Sequence, residues 1–244
     1  MVYLYVRHTV EDYAKWKEGF DKHAPARQAG GSREGRPIFV TETERRKEFV
    51  LLVGRQHPPE VTGSLTFRPF LDTVLGDTAL ARQFRDRFQL VIYPVLNPDG
   101  VARGHWRHNT DGVDLNRDWG PFTQPETRLV RNRVEDLVAG GGALRLMLDF
   151  HSTRSNLFYT QTAEEITDPE AFATRWLDAA RVRLPDYPFK HDARPVSERP
   201  TTKNYFYTRY GVPAITYETG DDDQIVMSRR FHEGAHPQNV KPRE

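Results

Sequence analysis

The chain has 244 residues, with Lys+Arg 35 against Asp+Glu 34 and a formal net charge of +1. No whole-chain field therefore steers it to nucleic acid or to an acidic membrane. It has no cysteine, which excludes disulfides and thiolate-held zinc and leaves His, Asp and Glu as metal ligands. The longest apolar runs, such as Phe49–Val53, are far too short to span a bilayer. The N-terminus lacks a charged-then-apolar signal sequence, so a cytoplasmic setting is expected, with neither nucleic acid nor membrane as partner.

Val2–Arg7 alternates as a strand does, and Tyr13, Trp16 and Phe20 share one face of a helix over Val10–His23. Ala29-Gly30-Gly31-Ser32 reads as a loop and a boundary. Pro37–Thr41 and Phe49–Val53 read as strands, with the polar run 42–47 turning between them. Phe67, Phe70, Leu71, Val74 and Leu75 have the spacing of an amphipathic helix, in which Pro69 predicts a kink or a late start. Phe88–Val95 is a buried strand. Thr123-Gln124-Pro125-Glu126 has the form of a capping box with an early proline, opening a helix along Val130, Val134, Leu137 and Val138. Gly140–Gly142 is a turn without the Lys-Ser/Thr of a phosphate loop. Leu144–Phe150 is a strand, and Asp168-Pro169 reads as the cap of a helix through Phe172, Trp176 and Ala180. Asn204–Tyr210 reads as a helix stopped by Gly211, and Val212–Tyr217 as the last strand. The alternation predicts an α/β fold, a mixed central sheet flanked by helices.

Three patterns offer metal ligands. His57-Pro58-Pro59-Glu60 follows an apolar strand, at the edge where α/β enzymes place their sites. His8 and Glu11 share that spacing, but no helix-plus-strand unit with further ligands pairs with them. His232-Glu233-Gly234-Ala235-His236 matches H-E-x-x-H, yet Gly234 and Pro237 oppose the continuous helix that motif needs. His151, at the end of its strand, is the candidate third ligand to His57 and Glu60, giving a His₂Glu set with one position open to water. His105 and His108 read as solvent-facing loop residues.

Between these ligands stand Asn97-Pro98-Asp99-Gly100, Trp106-Arg107 and Gly112-Val113-Asp114-Leu115-Asn116-Arg117. After them come Asp149-Phe150-His151-Ser152 and Thr216-Tyr217-Glu218-Thr219-Gly220. With these motifs, in this order, the sequence resembles the zinc metallocarboxypeptidases, in their compact bacterial and cytosolic branch, from about Gly35 to about Asp222. The resemblance implies one zinc ion held by His57, Glu60 and His151, with Asp114 orienting His57. It implies that Asn116 and Arg117 grip the C-terminal carboxylate of a peptide substrate and that Arg107 polarises the scissile carbonyl. Glu218 is then the general base, taking a proton from water at the metal and passing it to the leaving amine. Lys203, fifteen residues before Glu218, falls near the position that sets side-chain preference in the family, which suggests C-terminal Glu or Asp.

The resemblance is incomplete in places. The family's mobile-loop tyrosine has no counterpart in Arg194–Arg199; Tyr187 and Tyr205 are the nearest. Residues 3–31 resemble the first strand and helix of an antibiotic-biosynthesis-monooxygenase-type unit. No helical stripe follows Asp222 where a last helix is expected. The expected organisation is an extra segment over 1–33, a carboxypeptidase domain over 34–222 and a polar tail over 223–244. Two other activities share parts of the pattern. Zinc deacylases of N-acyl amino acids usually carry His-Gly-Asn-Glu where this chain has His57-Pro58-Pro59-Glu60, and a decayed, non-catalytic peptide-binding relative sits poorly with an intact Glu218.

Overall fold

The computed structural model describes residues 26–220. The strand and helix expected over 2–23, the pairs His8/Glu11 and His232/His236, and the tail 223–244 lie outside the described residues. One eight-stranded sheet runs in the order β1 (Ala26–Gly31), β2 (Pro37–Glu42), β4 (Phe88–Tyr93), β3 (Glu48–Gly54), β5 (Ala143–Thr153), β8 (Ala214–Gly220), β6 (Leu157–Thr160), β7 (Lys190–Ala193). Its centre, β4-β3-β5-β8, is parallel, and antiparallel pairings join β1 to β2, β2 to β4 and β6 to β8. The turn over 42–47 does not link neighbours, because β4 lies between β2 and β3.

The central strands are covered on both faces, which is why β3 reads as an unbroken apolar run. Phe49, Leu51 and Val53 of β3 face α4 (Pro125–Ala139) and α6 (Thr202–Tyr210), in a core with Val130, Val134 and Phe206. Val50 and Leu52 face the other way, toward α1 (Val61–Leu75) and α5 (Phe172–Arg183), packing with Phe67, Leu71 and Leu177. Each such side chain, once fully buried, contributes roughly 1.5–3 kcal/mol. Two shorter helices, α2 (Ala79–Arg87) and α3 (Pro98–Arg103), were not evident from periodicity.

Several local expectations are corrected. Ala29–Gly31 is not a loop but part of edge strand β1, where Gly30 packs so close under Leu129 that a Cβ would meet Cδ2 at 2.6 Å and make that side chain shift. Helix α1 does not start late at Pro69 but runs through it from Val61, held by Gly63, Phe67, Leu71 and Leu75 buried on the sheet. The capping box does not form: Asp118 instead accepts from Thr123 N and Oγ1 and from Gln124 N, while Glu126 accepts from Arg33 N. Val138 leaves the buried stripe and is exposed. Asp168 does not cap α5; it pairs with Arg145, and Ala171, with φ 47°, takes the cap position without a side-chain bond.

Candidate active site

The loop after β3 turns at Arg55, whose φ of 55° is rare outside glycine. Arg55 is tied down by bonds to Pro58 O and Ser64 Oγ. The turn places buried His57 and, at the cap of α1, half-buried Glu60 beside the end of β5. Asp149 and His151 are two apart on β5 and so share one face of the sheet. Helix α1 reaches them only because residue 63 is glycine: a Cβ there would stand 2.5 Å from His151 O.

The side chains of His57, Glu60 and His151 converge, their candidate ligand atoms all within 4.8 Å of one another. His57 Nδ1 is 2.6 Å from Glu60 Oε1, His151 Nδ1 is 2.7 Å from Glu60 Oε2, and the two Nδ1 atoms are 3.2 Å apart. Nitrogen ligands about 2.0–2.1 Å from a tetrahedral zinc stand roughly 3.3 Å from each other, so the separation of the two Nδ1 atoms fits that ion, while Glu60 is drawn in to hydrogen-bond distance of both rings. The outer nitrogens support the same reading. His57 Nε2 bonds Asp114 Oδ1 at 2.9 Å, and His151 Nε2 lies 2.9 Å from Asp149 Oδ2. The carboxylate bonded to His57 Nε2 keeps the hydrogen there and leaves Nδ1 free to ligate. The second contact is near but poorly aligned, leaving His151 Nε2 and Asp149 Oδ1 without a formed hydrogen bond.

The carboxylates and histidines of the cluster shift one another. Burial alone would lower the His151 pKa, but the Asp149 and Glu60 carboxylates outweigh it and push the ring well above the usual histidine range. Burial would raise Glu60, but the charge of His151 and hydrogen bonds from both histidines hold it at about 2. Asp114 is likewise held well below the usual carboxylate range, against its burial, by His57 and Arg107. A cation bound in the cluster would take the place of the His151 ring proton in offsetting these carboxylates.

A cleft of about 340 Å³ opens over this cluster, and His57, Glu60, Arg107, Asn116, Arg117, Lys203 and Glu218 all line it. Arg107 Nε donates to Asp114 Oδ2 at 2.7 Å, so one carboxylate fastens both His57 and Arg107. Asn116 and Arg117 sit on a single 3₁₀ turn, Leu115–Arg117, capped by Asp114. Lys203 is buried in the first turn of α6, and its Nζ donates to Thr160 O and Arg194 O at 3.2 and 3.0 Å. No carboxylate pairs with it among the described residues, and burial lowers its pKa. Glu218 lies inside β8, directly opposite His151, and burial raises its pKa despite the nearby histidine.

Neither of the two nearest tyrosines, Tyr187 and Tyr205, lines the cleft. Tyr187 Oη contacts Tyr217 Oη, and Tyr205 packs among Trp119, Phe122 and Phe206. Tyr159 of β6 lines the cleft instead, under the Arg194 guanidinium. His105 and His108 stay in the surface loop, apart from the cluster. Sequence reasoning also passed over Asp149, although its place two residues before His151 on a strand was the available signal, and over Gln56, which carried none.

Comparison with known proteins agrees with this geometry. Mouse cytosolic carboxypeptidase 3 is 34% identical over 126 residues, covering 50% of this chain and 12% of its own length. Human cytosolic carboxypeptidase 2 is 37% identical over 127 residues, covering 50% of this chain and 14% of its own. The chain therefore spans only a small part of those relatives. Among solved structures, a metallo-carboxypeptidase from Burkholderia cenocepacia shares the fold with a TM-score of 0.69 at 22% identity, over 88% of this chain and 61% of that one. A metallo-carboxypeptidase from Pseudomonas aeruginosa, in complex with (2-guanidinoethylmercapto)succinic acid, gives 0.65 at 22% identity, over 88% and 61%. The zinc carboxypeptidase family model matches residues 15–235, nearly the whole sequence and all of the cleft described above, and the chain belongs to that family.

Proposed function

We propose that this chain is a zinc-dependent carboxypeptidase that hydrolyses the last peptide bond of peptides ending in Glu or Asp. The observation that carries the reading is the convergence of His57, Glu60 and His151, two of which, His57 and Glu60, line one cleft with Asn116, Arg117, Arg107 and Glu218. A single zinc on the three ligands would supply Lewis acidity to the scissile carbonyl and acidify water beside it. Arg117 and Asn116 hold the terminal carboxylate, whose plane suits the guanidinium fork. Arg107, held at Nε by Asp114, keeps its terminal nitrogens for the carbonyl oxygen as negative charge develops. Glu218 takes the proton from the attacking water and delivers it to the leaving amine; its raised pKa brings it closer to the working pH of a base.

The acidic preference rests on Lys203. Two of its three N–H groups are engaged by carbonyl oxygens, which leaves one for a ligand. A buried ammonium without a carboxylate partner favours an incoming anion and disfavours an apolar side chain. Arg194 and Arg199 on the same rim add to the positive wall. The reading assigns the chemistry to residues 34–222, with 1–33 and 223–244 outside it, and a cytoplasmic setting like that in the relatives' names. No described helix is long and apolar enough to cross a membrane. The test is hydrolysis of short peptides ending in Glu, Leu and Lys, each with a free or amidated C-terminus, with zinc or with a chelator. Cleavage of free-acid Glu peptides that is abolished by amidation and by chelation is expected. Equal cleavage of amidated peptides would overturn the reading, and a preference for Leu or Lys would overturn its acidic part.

A further inference from the structure

A buried polar chain joins the two halves of the cleft. Trp119 Nε1–H donates to Gln56 Oε1 at 2.8 Å. Gln56 Nε2 donates to Asp149 Oδ2 at 2.6 Å and to Thr202 Oγ1 at 2.7 Å. Gln56, Asp149 and Thr202 are each 0% exposed, so no water competes for these bonds. An indole N–H can only donate, so Gln56 must turn its oxygen toward Trp119 and both its hydrogens toward Asp149 and Thr202. Thr202 Oγ1, already accepting, sends its own hydrogen to Asn116 Oδ1 at 3.0 Å, and Thr202 N donates to the same oxygen at 3.0 Å. With Oδ1 occupied twice, Asn116 keeps its Nδ2 hydrogens for a carboxylate in the cleft. On the other arm, Asp149 Oδ2 stands 2.9 Å from His151 Nε2, so the carboxylate faces that nitrogen while Nδ1 faces Glu60 in the cluster.

We propose that Gln56 is a positioning residue that sets two orientations at once: the metal-facing nitrogen of His151, through Asp149, and the donor face of Asn116, through Thr202. The inference rests on the carboxypeptidase reading above and extends it to a residue that touches neither zinc nor substrate. Its polarity originates at the Trp119 indole, and the two arms separate only at the Gln56 amide.

The experiment measures the zinc dissociation constant by chelator competition, and KM and kcat on a peptide ending in Glu, for the parent, Gln56→Leu, Asp149→Asn and Thr202→Val. Asp149→Asn cuts only the metal arm and is expected to weaken zinc about 10–100-fold, the usual cost of losing a partner behind a ligand. Thr202→Val cuts only the carboxylate arm and is expected to raise KM about 10-fold or more, the effect of losing one hydrogen bond to a charged group, with zinc affinity unchanged. Gln56→Leu is expected to show both losses together. A general loss of stability would not separate zinc affinity from KM in this way. Gln56→Leu with parental zinc affinity and KM, or with only one of them altered, would overturn the inference. If Gln56→Leu does not fold, the other two variants decide it: Thr202→Val with unaltered KM, or with zinc weakened as much as in Asp149→Asn, overturns it equally. A parent that neither binds zinc nor cleaves the peptide would instead overturn the functional reading itself.

Discussion

Gly63→Ala sets two opposed effects against each other. Alanine in a helix interior is favoured over glycine by about 0.8–1.0 kcal/mol, so propensity alone predicts a more stable protein. Against this, the new Cβ would stand 2.5 Å from His151 O, 2.7 Å from His151 C and 3.1 Å from His151 Cα. An ordinary contact needs roughly 3.5 Å, so α1 and β5 must separate by about 1 Å. The obstructing atoms are backbone, in a strand paired on both sides by β3 and β8, and cannot rotate aside. Overpacking of this kind costs about 1–3 kcal/mol, which exceeds the propensity gain over most of its range and leaves a net loss of up to about 2 kcal/mol. The larger effect is on the metal. Glu60 sits at the cap of α1 and moves with it, away from His151, whereas metal–ligand distances tolerate only about 0.2 Å. Urea denaturation of the metal-free protein and chelator competition for zinc measure the two effects separately. The expected result is a modest loss of stability with zinc affinity at least about tenfold weaker. A Gly63→Ala protein more stable than the parent, with parental zinc affinity, would refute the close approach on which the argument rests.

Glu218→Gln is expected to keep zinc and substrate affinity while losing about three orders of magnitude in turnover; turnover within tenfold of the parent would remove Glu218 from the mechanism. Lys203→Ala is expected to abolish any preference for Glu over Leu at the peptide terminus, and an unchanged ranking would end that assignment. Because burial lowers the Lys203 pKa from 10.5, the parent's preference is present while the ammonium is protonated, and should fade with rising pH before an exposed lysine would titrate. A preference constant through pH 10.5 would contradict this. Glu126 is fully buried, with Oε2 unpartnered, and burial raises its pKa. The folded state therefore holds a proton that the unfolded chain releases near 4.5, so its contribution to stability is present below that value and lost as pH rises through the folded one. Glu126→Gln should flatten this fall in denaturation midpoints measured from pH 4 to pH 8 (about the span in which such a carboxyl titrates); an unchanged profile would show that the group ionises freely in the fold.

The parts of the site that the sequence made legible are those tied to local pattern. His57 and Glu60 follow the apolar run of β3, and His151 lies on another such strand, so their place at one edge could be read from hydrophobic segments alone. The helix stop at Gly211 is legible for a local reason too, since its φ of 67° is one that glycine adopts without strain. What could not be read depends on partners far away in sequence. Gln56 meets Asp149 and Thr202 across 93 and 146 positions, and no periodicity encodes such a contact. Thr123 carried a capping signature, but Asp118 drew its hydrogen bonds away, and Asp168 was drawn from a cap to Arg145. The glycines of β1 looked like a loop because the contact that favours a small residue at Gly30 comes from Leu129, far away in the sequence.

Zinc content per folded chain, compared between the parent and His151→Ala by elemental analysis after removal of free metal, tests the central claim most directly. The account predicts one zinc in the parent and a near-complete loss in the variant, because His57 and Glu60 alone leave the set one ligand short. A folded His151→Ala protein that retains its zinc in full would contradict it.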